Sequence, residues 1–275
     1  MRHFALLVAL GLLNACTAKK EPIASPNTKI LHLSHTRSDE AGKVSEKLAA
    51  IDFFSFDVLC LGGDLDLDTS ADSATLQVWD DLFHLGEPST LWALGNHDVS
   101  HRPLIGQFTG RPAFYAWTER SVTFLVLDTQ ADASQIISDQ LAFLQTVTDT
   151  ISESKQLIVL THKLIWMYGN SDLEDQIDQV ANGELGSCDY CTNPNNFYAD
   201  VYPLLLEVRN RGIGVYCIAG DIGFRTSSFE YLTPDGIHFL ASGIDVNKED
   251  NLVLLLELDD SAGLLDWQFK PLQDL

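Results

Sequence analysis

Five short polar motifs, each directly after an apolar run, constrain this chain of 275 residues more than any other feature. Each apolar run has the length and composition of a buried β-strand. Polar groups that follow the strands of such a sheet collect at its carboxyl edge. The pattern therefore predicts one site assembled from five separate loops. The motifs lie at 33–37 (LSHTR), 62–66 (GGDLD), 95–98 (GNHD), 161–162 (TH) and 220–223 (GDIG).

The order of strand-like and helix-like segments indicates an α/β fold. Strand and helix patterns alternate first, and the later strands follow one another closely, which favours a central β-sandwich of two mixed sheets flanked by helices. A chain of this length can bury one large core, so we expect a single domain over 28–275. Helix-spaced apolar residues occur at 39–53, 73–85, 138–151 and 198–211.

The stretch 166–199 lacks a strand pattern, is acidic, and separates the fourth motif from the fifth. Long insertions of this kind are usually functional, so we predict a lid or rim over the site. Its first residues, Trp166, Met167 and Tyr168, are expected to pack the lid onto the body, and covering the substrate is the alternative.

Four cysteines follow the first seventeen residues, in two pairs. Cys60 and Cys217 lie inside apolar runs and are predicted to be buried strand thiols. Cys188 and Cys191 lie in a polar segment, which favours a local disulfide first and a zinc or redox site second.

The first 16 residues have the pattern of a bacterial lipoprotein signal. Arg2 precedes an apolar run over 4–13, and small residues lead to Cys16, the predicted acylated cysteine. The run is too short to span a bilayer. We predict a polar tether over 17–27 and membrane contact through this lipid anchor only. The location would be the bacterial cell envelope, at the outer membrane facing the periplasm or the surface, with a periplasmic or secreted protein as the alternative.

The chain carries a formal net charge of −22 at pH 7. Such a charge repels phosphodiester backbones and anionic lipid headgroups. Nucleic acid is therefore excluded as a predicted partner, and no protein partner is indicated.

The series of five motifs resembles that of the calcineurin-like metallophosphoesterases, over roughly Thr28 to Asp266. In that family the corresponding pattern is Asp-x-His, Gly-Asp-x-x, Gly-Asn-His-Asp/Glu, a lone His, and Gly-His-x-His. The resemblance implies the calcineurin-like phosphoesterase fold and a metal-dependent hydrolysis of phosphoric esters. It also implies a divalent cofactor, Mn, Fe or Zn, and a phosphorylated small molecule or envelope component as substrate.

Carried over by position, the resemblance implies a second metal pocket made of Asp64, Asn96, His162 and Asp221. Asp221 replaces an imidazole by a carboxylate and so keeps a ligand. Carboxylate, imidazole and amide oxygen are suitable donors for divalent ions that bind phosphate.

The first metal pocket departs from the family pattern, since its Asp is His35, its His is Arg37 and its last His is Gly223. Arginine does not lose its proton and cannot ligate a metal. We expect the Arg37 guanidinium to lie where a cation sat and to hold an anionic substrate through two parallel hydrogen bonds. His35 would either ligate a single ion or bond Asp64. One divalent ion per chain is therefore predicted.

His97 corresponds to the family residue that protonates the leaving oxygen or stabilises the pentacovalent phosphate, and Asp98 would orient it. The leading hypothesis is an exported, lipid-anchored hydrolase. The alternative is a catalytically inactive pseudo-phosphoesterase that serves as a binding or assembly module at the cell envelope. The four altered ligand positions favour the alternative, whereas the retained Asn96, His97 and His162 favour the hydrolase.

Overall fold

The structure, a computed structural model, describes residues 27–38, 42–188 and 190–275. The predicted signal, Cys16 and all but the last residue of the predicted tether lie outside these ranges. Within them, none of the helices combines the length and the apolar composition that a bilayer crossing requires.

Two mixed β-sheets form the centre of the fold. The first has the order β11-β10-β1-β2-β3 and the second has the order β4-β5-β6-β7-β9-β8. Strands β1, β2 and β3 are parallel, as are β5, β6, β7 and β9, and the remaining neighbours are antiparallel. The strands are β1 (Thr28–Leu33), β2 (Val58–Leu61), β3 (Thr90–Trp92), β4 (Tyr115–Glu119), β5 (Val122–Val126), β6 (Gln156–Thr161), β7 (Gly214–Ala219), β8 (Ser228–Leu232), β9 (His238–Ser242), β10 (Leu252–Asp259) and β11 (Leu264–Pro271).

Helices cover the outer face of each sheet. They are α1 (Glu46–Ala49), α2 (Ser73–Phe83), α3 (Arg102–Thr109), α4 (Ser138–Thr150), α5 (Ile177–Val180) and α6 (Tyr202–Asn210). Single helical turns occur at Phe53–Ser55, Val99–His101, Asp132–Ser134, Glu174–Gln176, Phe197–Val201 and Leu272–Asp274.

Three apolar clusters hold the layers together. Alternate residues of a strand face opposite sides of a sheet, so Ile30 of β1 packs between the sheets while Leu31 packs under the outer helices. The outer cluster of the first sheet includes Trp79 of α2, and that of the second sheet includes Leu205 of α6. The predicted sandwich of two mixed sheets flanked by helices is therefore confirmed.

Helix 39–53 was predicted too long. In the described residues it is reduced to α1 and the turn Phe53–Ser55. The Ser45 side chain accepts from Lys47 N and starts α1, and the Asp52 side chain accepts from Phe54 N and starts a separate turn. The sequence patterns predicted neither α3 nor the half-exposed edge strand β8, which lacks a buried apolar run.

The carboxyl edges of the two sheets meet through backbone contact between Gly62 and Gly220. A Cβ atom on Gly220 would lie 2.1 Å from the Gly62 carbonyl oxygen, so only glycine fits there. Ser34 reinforces the junction, because its hydroxyl lies 2.5 Å from the Gly220 carbonyl and 2.9 Å from the Ser242 carbonyl. Three of the five motifs are thereby brought together.

Candidate metal centre

All five predicted loops follow strands at this one edge. His35 follows β1, Asp64 follows β2, His97 follows β3, His162 follows β6 and Asp221 follows β7. The predicted convergence of the loops is therefore observed in the structure.

Two imidazoles and two carboxylates form the centre of the site. His35 Nε2 lies 3.6 Å from Asp64 Oδ2 and 3.5 Å from Asp221 Oδ1. His162 Nε2 lies 3.6 Å from Asp64 Oδ1 and 3.8 Å from Asp221 Oδ1. Donor atoms about 2 Å from a shared ion lie roughly 3–4 Å apart, so these spacings fit a metal. His35, Asp64 and His162 each offer a ligand atom within 4.8 Å of the others.

The His162 tautomer also suits a metal ligand. Its Nδ1 lies 2.6 Å from the Gly62 carbonyl oxygen, which can only accept, so Nδ1 carries the proton and Nε2 carries the lone pair. Ligating histidines commonly donate their other N–H to a carbonyl in this way. His162 Nε2 and Asp221 Oδ2 are both buried without a hydrogen-bond partner in the described chain. The residues present therefore fit a divalent ion.

Asp64 is the most strongly contacted carboxylate of the centre. Its Oδ1 accepts from His97 N at 3.0 Å, and its Oδ2 accepts from Arg37 Nη2 at 2.8 Å. Burial alone would raise the pKa of Asp64, but the imidazoles of His162, His35 and His97 and the His97 N–H hold it below its usual range. Asp64 is thus stabilised as an anion, the form that can bind a cation.

Asp98 fixes the loop that carries Asp64. Its buried carboxylate accepts from the backbone N–H groups of Asp64 at 2.8 Å, Leu65 at 3.0 Å and Gly95 at 2.7 Å. Burial, followed by the nearby Asp64 charge, raises its pKa. The Asp98 carboxylate contacts these N–H groups, while the His97 ring contacts the Leu67 carbonyl, so a role of Asp98 in orienting His97 stays a prediction. Asp98 positions the Asp64 backbone.

His97 is oriented by a backbone carbonyl. Its Nδ1 lies 2.6 Å from the Leu67 carbonyl oxygen and therefore carries the proton, which leaves Nε2 on the side of the centre, 3.9 Å from Asp64 Oδ2. The side chain is 35% exposed, so a small ligand can reach it. The Asn96 amide is half-buried and forms no hydrogen bond with a described residue. Its role as a ligand stays a prediction.

The loop that carries Arg37 is held in an uncommon conformation. His35 and Arg37 have φ values of 56° and 21°, a region that side-chain-bearing residues rarely adopt. His35 N donates to the Gly63 carbonyl at 3.0 Å, and the Thr36 hydroxyl lies 3.0 Å from the Leu65 carbonyl. Strain of this kind persists only where neighbouring groups impose it.

The Arg37 guanidinium lies against the protein's own carboxylate. One terminal nitrogen donates to Asp64, while Nε is buried without a partner in the described chain. Gly223, which replaces the family's last histidine, has a φ of 127°, and a Cβ there would lie 2.6 Å from the Ile244 carbonyl oxygen. No histidine fits at that position without a backbone shift. At two positions where the resemblance places ligands of the first metal pocket, the chain therefore has a cation, Arg37, and a residue without a side chain, Gly223.

Asn182, from the predicted lid, joins the site, although no sequence motif predicted it. Its Nδ2 lies 2.9 Å from His35 Nε2, and its Oδ1 accepts from Phe224 N at 2.8 Å. Its own N–H donates to the Asp221 carbonyl at 3.0 Å. Only its place between the fourth and fifth motifs signalled a role, because an isolated asparagine in a loop carries no pattern.

The start of the 166–199 segment packs onto the body of the protein. Trp166 and Met167 are fully buried, and the Trp166 ring stacks on Phe239 with centroids 4.9 Å apart. Cys188 and Cys191 are bonded as a disulfide, whereas Cys60 and Cys217 are free and buried.

Comparisons with known proteins support the fold. No protein-family model and no curated protein matches the sequence. Among solved structures, a dimetal phosphatase from Danio rerio superposes with a TM-score of 0.52 at 11% identity, covering 90% of this chain and 97% of that one. The structure therefore has the calcineurin-like metallophosphoesterase fold that the motif series predicts.

Two further solved structures match over a shorter share of their own length. They are the NAD nucleotidase of Haemophilus influenzae (TM-score 0.45, 12% identity, 89% of this chain and 50% of that one) and the 5'-nucleotidase precursor of Thermus thermophilus (TM-score 0.43, 13% identity, 89% and 54%). This chain spans about half the length of each.

Proposed function

We propose that this protein is a metal-dependent phosphoric ester hydrolase with one divalent ion, Mn, Fe or Zn, per chain. His35, Asp64, His162 and Asp221 would hold the ion, with the Asn96 amide as a further ligand. The observation that carries the proposal is the convergence of their donor atoms, with His162 Nε2 and Asp221 Oδ2 buried and unpartnered. Buried polar atoms without partners are costly, and a cation would relieve that cost.

A bound ion would act as a Lewis acid on a phosphoryl oxygen and would lower the pKa of a water. The protein's own groups must prepare the centre for it. His162 already presents its Nε2 lone pair. His35 presents its Nε2 to Asn182 instead, so that hydrogen bond must be released when His35 binds a cation.

His97 and Arg37 would serve the ester itself. His97 Nε2 is accessible and can carry a second proton, which it would pass to the departing alcohol oxygen before returning to its Nδ1–H form. Arg37 adds a permanent positive charge beside Asp64, and its side chain is 27% exposed. Charge-assisted hydrogen bonds from such a group hold phosphoryl oxygens.

The proposed substrate is a phosphorylated small molecule or envelope component, since the acidic chain repels polynucleotides. The proposed setting is the bacterial envelope, with Cys16 acylated. Arg2, the apolar run 4–13 and the tether 17–27 support that setting from sequence.

A second candidate function is a catalytically inactive binding module on the same scaffold. Two contacts favour it: Arg37 neutralises Asp64 at 2.8 Å, and Asn182 engages His35 at 2.9 Å. Both groups are thus satisfied by the protein itself.

Metal analysis together with hydrolysis of p-nitrophenyl phosphate and bis-p-nitrophenyl phosphate in Mn²⁺ separates the two candidates. We expect about one ion per parent chain and measurable turnover. Asp64→Asn should lose both the ion and the turnover. His97→Ala should keep the ion while kcat falls, by up to about 10²–10⁴-fold, because the ring that would pass a proton to the leaving oxygen is removed.

His101→Ala is the matched control, since His101 is exposed four residues after His97 and its ring has no contact in the site. It should behave as the parent does. If the parent protein binds no metal, or if Asp64→Asn and His97→Ala hydrolyse the esters as fast as the parent does, only the binding module remains.

A further inference from the structure

A cleft of about 800 Å³ opens beside the metal centre, with His35, Arg37 and Asn182 in its wall. Pockets of a few hundred to about a thousand Å³ accommodate small organic ligands. The cleft continues well beyond the reach of a phosphoryl group held at Arg37. It therefore has room for the rest of a phosphorylated molecule.

Exposed apolar side chains are concentrated in this cleft. Leu67 is 56% exposed, Phe224 is 67% exposed and Val246 is 38% exposed, and all three line it. They make up three of the nine large apolar residues exposed in the described chain. An apolar surface next to a polar centre is typical of a ligand subsite rather than of ordinary surface.

Phe224 is the most exposed of the three, yet its backbone is held on both sides. Its N–H donates to Asn182 Oδ1 at 2.8 Å, and its carbonyl accepts from Lys248 Nζ at 2.7 Å. The ring makes no aromatic contact within the described residues. A fixed backbone with a free ring presents a flat face to solvent, which is the arrangement of a stacking platform.

The charges of the cleft limit where an anion can bind. Arg37 lies at the end next to the centre, whereas Glu46 and Asp245 contribute carboxylates elsewhere in the wall. Lys43 pairs with Glu46 at 3.0 Å. One phosphoryl group at the Arg37 end is favoured, and further negative charge along the cleft is repelled.

We infer that this cleft binds the alcohol portion of the substrate and that Phe224 selects an aromatic alcohol by stacking. The substrate class is then a phosphoric ester of an aromatic alcohol with no second anionic group. Asn182 is a positioning residue, because it connects the Phe224 backbone to the His35 ring. This inference rests on the proposed function.

The test compares binding of phenylphosphonate and methylphosphonate to the full chain in Mn²⁺ by calorimetry, which needs no turnover. We expect phenylphosphonate to bind about three- to tenfold more tightly, the range of one aromatic pair. Phe224→Ala should remove that preference, and Phe224→Tyr should keep it because the ring face is retained.

Phe54→Ala is the matched control, since Phe54 is 66% exposed but lies outside this cleft. It should keep the preference. Equal binding of the two phosphonates, undetectable binding of phenylphosphonate, or a preference unchanged in Phe224→Ala would each overturn the inference.

The same samples distinguish this failure from failure of the proposed function. Metal-dependent hydrolysis of p-nitrophenyl phosphate without ring-dependent phosphonate binding would reject the subsite and support the hydrolase. Ring-dependent phosphonate binding without hydrolysis would support the subsite and reject the hydrolase.

Discussion

Two halves of the same sheet edge differ in whether their buried polar groups have a partner within the protein. In the imidazole half, made of His162 and Asp221, a lone pair and a carboxylate oxygen are buried without partners in the described chain. In the arginine half, made of Arg37 and Gly223, the protein supplies its own cation, and the backbone at Gly223 leaves no space for a side chain. Asp64 lies between the halves and contacts both.

The difference shows that a side-chain cation can stabilise a buried carboxylate while neighbouring donor atoms on the same sheet edge stay unpaired. A buried carboxylate needs a positive partner, and either a metal or a guanidinium can serve. Arg37 serves on one side, where the backbone at Gly223 leaves no space for an imidazole. The imidazole half retains the donor types and the spacing that an ion requires.

The largest expected effect comes from breaking the junction that aligns both halves. Gly220→Ala would place a Cβ atom 2.1 Å from the Gly62 carbonyl oxygen, so one sheet edge must move. We expect a loss of more than about 3 kcal/mol in the free energy of unfolding, or failure to fold. Urea unfolding followed by circular dichroism measures it.

Gly106→Ala is the control for this change, because Gly106 lies inside α3 and an added Cβ would meet nothing closer than 3.9 Å. Alanine favours helix over glycine, so stability should be unchanged or should rise by up to about 1 kcal/mol. A Gly220→Ala protein as stable as the Gly106→Ala protein would refute the backbone junction.

A second test uses the other buried histidine with an unpartnered Nε2, His32 of β1. Ser242 Oγ donates to the His32 carbonyl at 3.1 Å, so His32 Nδ1 donates to Ser242 Oγ at 2.7 Å and Nε2 faces no acceptor in the described chain. Burial lowers the pKa of His32 to about 3. His162 Nε2, by contrast, lies 3.6 Å from Asp64 Oδ1 and 3.8 Å from Asp221 Oδ1.

Below pH of about 6.5, the ordinary pKa of histidine, the unfolded chain binds a proton at His32 that the folded chain does not bind until about pH 3. The free energy of unfolding should therefore decrease as the pH is lowered from about 6.5 to about 3. This group should contribute a decrease of up to about 1.4 kcal/mol per pH unit. Urea unfolding at pH 7, 6, 5 and 4 should show a shallower fall for His32→Gln. His101→Gln should keep the parent slope, and identical slopes for all three proteins would contradict the prediction.

The smallest expected effect concerns the arginine half directly. Arg37→Ala removes the partner of a buried carboxylate and should cost about 1–3 kcal/mol of unfolding free energy without metal. Added Mn²⁺ should stabilise Arg37→Ala more than the parent, because an ion would replace the missing positive charge beside Asp64. The stoichiometry should remain one ion per chain, as measured by metal analysis.

Arg102→Ala provides the matched control. Arg102 is 37% exposed and pairs with buried Asp128 at 2.5 Å, but that pair is separate from the centre. The unfolding free energy that Arg102→Ala loses should be the same with and without Mn²⁺. An equal response of Arg37→Ala, Arg102→Ala and the parent to Mn²⁺ would mean that the two halves are not linked through Asp64.

Much of the fold and part of the site could be predicted from the sequence. Apolar runs marked the five strands that precede the motifs, because buried strands need continuous apolar side chains. The motif series predicted that Asp64, Asn96, His162 and Asp221 would meet, with His35 as a ligand or a partner of Asp64. The structure brings His35, Asp64, His162 and Asp221 together. Strand β8 was not predicted, because its half-exposed residues at a sheet edge do not form a continuous apolar run.

By itself, the sequence determined which strands are buried and which polar loops follow them, since both depend on local composition and order. Only the tertiary structure decided the partners of the polar groups. Arg37 binds Asp64, Asp98 turns to backbone N–H groups, and Asn182 reaches His35 from the distant 166–199 segment. Those pairings depend on side-chain direction and on backbone conformation between residues far apart in the chain, which spacing along the chain does not encode.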